Sequence, residues 1–257
     1  MKTKTSRSFL LSVLILLVAV SGCCAGKVSR AESLFNEASS EVQLQSPGAA
    51  LPAGAAAKYG EVVSISETEI LPQCRGDELR ATTYALDSFS LWRLGRFDEA
   101  TRRAEEGLDL CESARLTNNP LHCAMLFTTQ GLVLHSRAYR KFEALGPALA
   151  TVEQAQSITA EIATSLRDID AVNQRLAKDE DFALWANEQQ LQIIKNALDV
   201  WGRVPNAEDR RQPVCEWSMR ADRLVADRFP AAFPRRAEVV ALQQTIDNAR
   251  RRFEPCA

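Results

Sequence analysis

The sequence predicts an all-α protein: short helical hairpins followed by a longer antiparallel helical bundle. Three observations carry the prediction. Apolar residues recur at threes and fours through most of the chain, the spacing of one helix face and not the alternation of a strand. Glycine, proline and asparagine interrupt that pattern at helix-length intervals, at Gly95, Asn119-Pro120, Gly146-Pro147 and from Gly202 to Pro205. The composition, 257 residues of which 46% are hydrophobic and 25% charged, is that of a globular chain with enough apolar surface for one or two cores, and it excludes disorder throughout.

At the N-terminus Lys2, Lys4 and Arg7 precede an apolar run from Phe9 to Val20, the length of a signal-peptide core and shorter than a membrane span of ~20 residues. Residues 1–22 are therefore expected to be removed. Residues 23–50 are expected to form a tether. Within it RAESLFNEASSEV has helical propensity, with Leu34, Phe35 and Ala38 as one small apolar stripe, and Gln45-Ser46-Pro47-Gly48 breaks it. Ala49 to Ala57 suits either a tether or a helix start. Val62 to Ile65 is the one place where a short strand competes with a helix, and helix is the expectation.

Residues 51–146 hold the hairpins. Tyr84, Phe89, Leu91, Trp92 and Leu94 line a first helix, and Phe97, Ala100, Ala104, Leu108 and Leu110 line a second. Asp77 stands where an N-cap is wanted, Gly95 supplies the turn, and Asp98 and Glu99 favour the positive end of the second helix. Asn119-Pro120 starts a third helix reaching about Leu145. Residues 147–257 hold the longer helices. Val152, Ala155, Ile158, Ile162, Leu166, Ile169, Val172 and Leu176 repeat without a breaker, and Asp179-Glu180-Asp181 opens a partner helix running through Leu191, Ile194, Leu198 and Trp201. Asn206 caps a helix to about Arg228, Phe229 to Pro234 is a turn, and Arg235 to Phe253 is the last helix.

Val20-Ser21-Gly22-Cys23 resembles the bacterial lipobox, at which lipoprotein precursors are diacylated on cysteine and cleaved before it. The resemblance implies that Cys23 carries lipid, and two or three acyl chains, at ~0.8 kcal/mol per buried methylene, hold a protein on a membrane. Cys24 in the next position, in place of Asp, implies the outer membrane, facing the periplasm. Loss of residues 1–22 removes three basic residues and leaves 28 Lys+Arg against 33 Asp+Glu, a net charge of −5. That balance argues against nucleic acid and supplies no polybasic patch for anionic lipid, so the membrane link is the lipid itself.

Leu91 to Leu110, LWRLGRFDEATRRAEEGLDL, is similar to the tetratricopeptide repeat, through Gly95, Phe97, Asp98, Glu99, Ala100 and Ala104. Asp87, Ser88 and Gly107 depart from the pattern. A second copy is faint, at Ala124, Phe127, Gly131 and Leu134. The resemblance implies a protein or peptide partner bound on the concave side of the first helices, at Thr82, Ala85, Phe89, Trp92 and Arg93, joined by Met125, Thr128 and His135. The competing expectation for Phe89 and Trp92 is a place in the core. The alternative function is a small-ligand-binding component associated with a transporter.

Seven cysteines leave six once Cys23 is lipidated, in a compartment that permits disulfides. Cys215 and Cys256 sit at one end of an antiparallel pair and are expected to join. Cys74 and Cys111 bracket the first hairpin in the same way, with Cys123 placed to claim either, and Cys24 is expected to remain unpaired beside the lipid. No CxxC spacing points to zinc, and His122-Cys123 is the only His beside a Cys. GxSxG, P-loop, GxGxxG, HExxH and calcium-loop patterns are absent, and the acidic pairs fall where caps and solvated faces put them. No enzyme activity, cofactor or metal is expected.

Overall fold

The computed structural model describes residues 7–43, 50–116, 120–146, 149–175, 180–233, 236–253 and 256, with side chains from residue 24 onward apart from residues 43, 120, 171–175 and 180–181. Among them every regular element is helical: α1 (Arg7–Gln43), α2 (Ala53–Ile65) continued by a π-helical turn (Ser66–Ile70), α3 (Asp77–Arg93), α4 (Phe97–Ser113), α5 (Pro120–Ala144), α6 (Val152–Arg175), α7 (Glu180–Gly202), α8 (Ala207–Arg228) and α9 (Arg236–Arg250), ending in a 3-10 turn (Arg251–Phe253). Val62 to Ile65, where a strand competed, is helix. The chain divides into two compact units, residues 1–129 and 130–257.

In the first unit α1 and α2 are antiparallel. Lys27 pairs with Glu69, Arg30 with Glu61 and Lys58 with Glu37 and Glu41, so one helix ascends as the other descends. Small residues permit the approach: Ala31, Ala38 and Ala55 are wholly buried and Tyr59 fills the space between. Residues 24–43 are thus part of a packed core and not a loose tether, because Val28, Ala31, Phe35 and Ala38 recur at helical spacing and find an apolar partner face.

The turn between α3 and α4 is a Schellman cap. Gly95 has φ 75°, its N–H donates to Trp92 and that of Arg96 to the Leu91 carbonyl. At the other end of α3 the cap is Gly76, in extended backbone, and Asp77 is the first helical residue, so the expected cap is one residue late; as an acidic residue of the first turn Asp77 still suits the positive end of the helix. Asn206 caps α8 as expected, its side chain accepting from the Glu208 N–H at 3.2 Å. Asn119, the cap expected for α5, lies outside the described residues.

In the second unit α6 buries Ala155, Ile158, Ile162, Leu166 and Ile169, and α7 buries Leu191, Ile194, Leu198 and Trp201. The two run antiparallel, since the Ala150 N–H, just ahead of α6, donates to Arg203, just past α7. Side chains of Val172 and Leu176 lie outside the described residues. α8 and α9 form a second antiparallel pair, joined at Asp222 with Arg250 and at Cys215 with Cys256.

The unit boundary falls inside α5, between Thr129 and Gln130, and not at residues 146–147 as the Gly-Pro pair led us to expect. The reason is in the packing of this one helix. Its first half is bonded to α4 through Cys123 and lies close against Gly107 through Leu126, whereas its second half pairs Lys141 with Glu161 of α6 and His135 with Asn196 of α7.

Candidate functional site

The recognition face expected on α3 is covered within its own unit. Phe89 is 4% exposed, with its ring edge-to-face on Phe35 of α1 at 5.3 Å and on Trp92 at 4.9 Å. Phe35 in turn meets Tyr59 of α2 at 5.8 Å. The Arg93 guanidinium lies 4.5 Å from the Trp92 ring centre and 5.3 Å from that of Phe89. Burial pulls its pKa down, against a smaller opposing effect of the Tyr59 hydroxyl. Ala85, Thr82 and Met125 are buried, and Thr128 donates to its own helix at Ala124. The expectation of an open groove at Phe89, Trp92 and Arg93 is corrected: Phe89 is a core residue, and Trp92 and Arg93 form its half-buried rim. The cause is α1, whose apolar stripe takes the face that a partner was to occupy.

On the other side of α3 the same unit holds a buried polar cluster that sequence reading did not assemble. Asp87 has no exposed surface, and its carboxylate faces Arg103 Nε of α4 at 3.1 Å. Arg103 also reaches Glu67 on the π-helical turn at 2.8 Å and Glu106 at 2.8 Å. Glu67 lies in the π-helical turn that carries α2 toward α3. Burial pushes the Asp87 carboxyl up to about 7, with the Arg103 charge acting against it. Burial also pulls on Arg103 in the discharging direction, but the hydrogen bonds it donates to Glu67 and Glu106 and the charge of Asp87 reverse the effect and raise it. The only signal in the sequence was that Asp87 stands where the tetratricopeptide pattern has an apolar residue.

His135 belongs to the second unit. Its Nε2 lies 3.1 Å from the Asn196 amide nitrogen, whose oxygen already accepts from Gln192, so the imidazole accepts through Nε2 and is held neutral. Burial lowers its pKa to about 4. Tyr139 stacks on it at 5.9 Å. Tyr139 also borders a cleft of about 450 Å³ with Phe142, Lys195, Leu198, Asp199 and Arg203. The charges there are already engaged: Lys195 pairs with Asp199 at 2.5 Å, and Arg203 donates to the Gly146 carbonyl and covers the Phe142 ring at 5.1 Å. His122, the other histidine, sits 3.3 Å from the Thr82 hydroxyl, with its pKa lowered by burial. Among the described residues no three His, Cys, Asp or Glu side chains are grouped as a metal site.

Three disulfides join Cys24 to Cys74, Cys111 to Cys123 and Cys215 to Cys256. The expected Cys74–Cys111 bridge is corrected. Cys74, after the π-turn, faces the start of the docked portion of α1, and Cys111, in the last turn of α4, faces the start of α5. Cys24 is paired because the segment that carries it is packed. The seventh cysteine is Cys23, whose backbone lies in α1 and whose side chain is outside the described set. Among the described residues no helix is long and apolar enough to cross a membrane. Comparison with protein-family models, with curated proteins and with solved structures finds no match.

Proposed function

We propose that this chain is a bacterial envelope lipoprotein, anchored by lipid on Cys23 at the periplasmic face of the outer membrane, whose helical body serves as a scaffold for a protein or peptide partner. The observation that carries the reading is an arithmetic of thiols. Three bridges use six of the seven cysteines, and the one outside them is the residue that the lipobox-like Val20-Ser21-Gly22-Cys23 singles out. Three disulfides also suit an oxidising compartment beyond the inner membrane.

The tetratricopeptide likeness is part of the proposal for the α3–α4 hairpin. It is supported by the Gly95 turn and by Ala100 and Ala104, both wholly buried where the helices approach. With the α3 face taken by α1, the partner surface belongs elsewhere on the body. The test is twofold: intact mass and palmitate labelling of the exported protein, expected to give a mature chain starting at a lipidated Cys23, and capture of envelope proteins by the lipidated chain. A mature chain that starts elsewhere with an unmodified Cys23 overturns the anchor, and a capture no richer than a lipoprotein control overturns the scaffold.

A second reading, a small-ligand-binding component associated with a transporter, is favoured by one observation, the cleft at Tyr139, Phe142 and Arg203, whose volume of about 450 Å³ lies in the range of ligand sites.

A further inference from the structure

We infer that the Cys24–Cys74 bridge removes the reach a lipoprotein anchor would otherwise have, and seats the pole of the first unit around Cys74 directly on the lipid surface. The inference rests on the lipidation of Cys23 proposed above. One peptide step of 3.8 Å separates the Cα atoms of Cys23 and Cys24. The bridge holds those of Cys24 and Cys74 5.8 Å apart. The Cys23 Cα therefore lies within about 10 Å of the Cys74 Cα, against the ~25 Å spanned by a flexible linker of ~20 residues.

Nothing between the anchor and the body can be paid out. Lys27, one helical turn on, is tied to the same pole through Gln73 at 2.8 Å and Glu69 at 3.4 Å, and Val28 and Ala31 are already in the core. Around the buried Cys74 the connection from the π-turn to α3 exposes Pro72, Gln73, Arg75 and Gly76. These are the groups the bilayer meets first. Arg75 is the cation among them and suits the phosphate level of a lipid headgroup, while the exposed Asp77 and Glu78 that follow, at the start of α3, keep the contact at the headgroup surface. The occupant of this pole is thus the membrane itself, which withdraws the pole from any protein partner.

The experiment uses the full chain, exported and lipidated in a bacterial host and reconstituted in phospholipid vesicles that carry a headgroup-labelled acceptor. The donor is a fluorescent noncanonical amino acid at position 75. A second protein carries a flexible Gly-Ser insertion of ~20 residues between Cys23 and Cys24, long enough to add ~25 Å of reach. Strong transfer without the insertion, reduced roughly twofold or more with it, is the expected result. Equal transfer in the two proteins, or weak transfer without the insertion, overturns the inference. Mass spectrometry of the same samples separates the causes: lipid on Cys23 with weak transfer removes the seated pole alone, and an unmodified Cys23 removes the anchor and the pole together.

Discussion

Arg103 Nε of α4 sits 3.1 Å from the carboxylate of Asp87 on α3, a side chain with no exposed surface. The arginine is shared with Glu67 and Glu106, so the single buried carboxylate receives a fraction of one positive charge, and desolvation wins. An unfolded aspartate titrates near 3.9 and this one near 7, so the folded chain holds the proton more tightly. Its contribution to stability is complete below the unfolded value and is lost as pH rises through about 7, a change of about 4 kcal/mol for ~3 pKa units. Asp87→Asn removes that slope. Hydrogen exchange of α3 amides, corrected for the intrinsic rate, is expected to lose protection between pH 5 and 8 in the parent chain and to stay level in the variant.

Phe35 and Phe89 meet edge-to-face across α1 and α3. Phe89→Ala opens a cavity in a packed site and is expected to cost about 3 kcal/mol or more, as aromatic truncations do. The diagnostic variant is Phe35→Ala. On a loose tether it would change stability by less than ~0.5 kcal/mol, whereas a docked α1 predicts a loss above ~1 kcal/mol and a coupling of about 0.5–1.5 kcal/mol with Phe89. A double-mutant cycle by denaturant unfolding reads both.

The helices were legible in the sequence because their period and their breakers agree, from Gly95 with its left-handed φ to Asn206 with its side-chain cap. What stayed hidden is which face meets which. Leu34, Phe35 and Ala38 announce an apolar stripe, but nothing in their spacing says that the stripe covers Phe89 and withdraws it from a partner. The Cys74–Cys111 pairing failed for the same reason: two cysteines at one end of a hairpin look like neighbours until α1 brings Cys24 to the first and α5 brings Cys123, the rival already in view, to the second. The Asp87 cluster draws Glu67, Asp87 and Arg103 from three separate elements, a meeting that the spacing within any one of them does not reveal.

Gly131 of α5 lies so close to α6 that a Cβ on it would stand 2.7 Å from Ile169 Cγ1 and 2.9 Å from the Ser165 carbonyl oxygen. The isoleucine can rotate, but the backbone oxygen cannot. Gly131→Ala gains ~1 kcal/mol of helix propensity and is still expected to destabilise the second unit, since overpacking of this kind costs about 1–3 kcal/mol. Thermal unfolding of the variant at or above the parent midpoint would show that α5 and α6 are not in contact there.

His135 responds to pH with the opposite sign to Asp87, and in the other unit. Its pKa is lowered by burial to about 4, below the unfolded value near 6.5, so the folded chain releases the proton. Its contribution is therefore complete above pH 6.5 and lost as the pH falls toward 4, a change of about 3 kcal/mol. The Asn196 amide donates to Nε2, a bond that only the neutral ring can accept, and Gln192 fixes the amide by donating to its oxygen. Asn196→Asp inverts this. A carboxylate at the same ~3 Å accepts from a protonated ring and is expected to raise the His135 pKa by ~1–3 units. The chain has two histidines, so the imidazole Cε1–H region of the proton spectrum holds two resonances to follow. In the parent chain the His135 signal is expected to stay neutral until the pH nears 4, and in the variant to titrate closer to 6. A signal that titrates near 6.5 in both would mean that the ring is in water and the hydrogen bond to α7 is not formed.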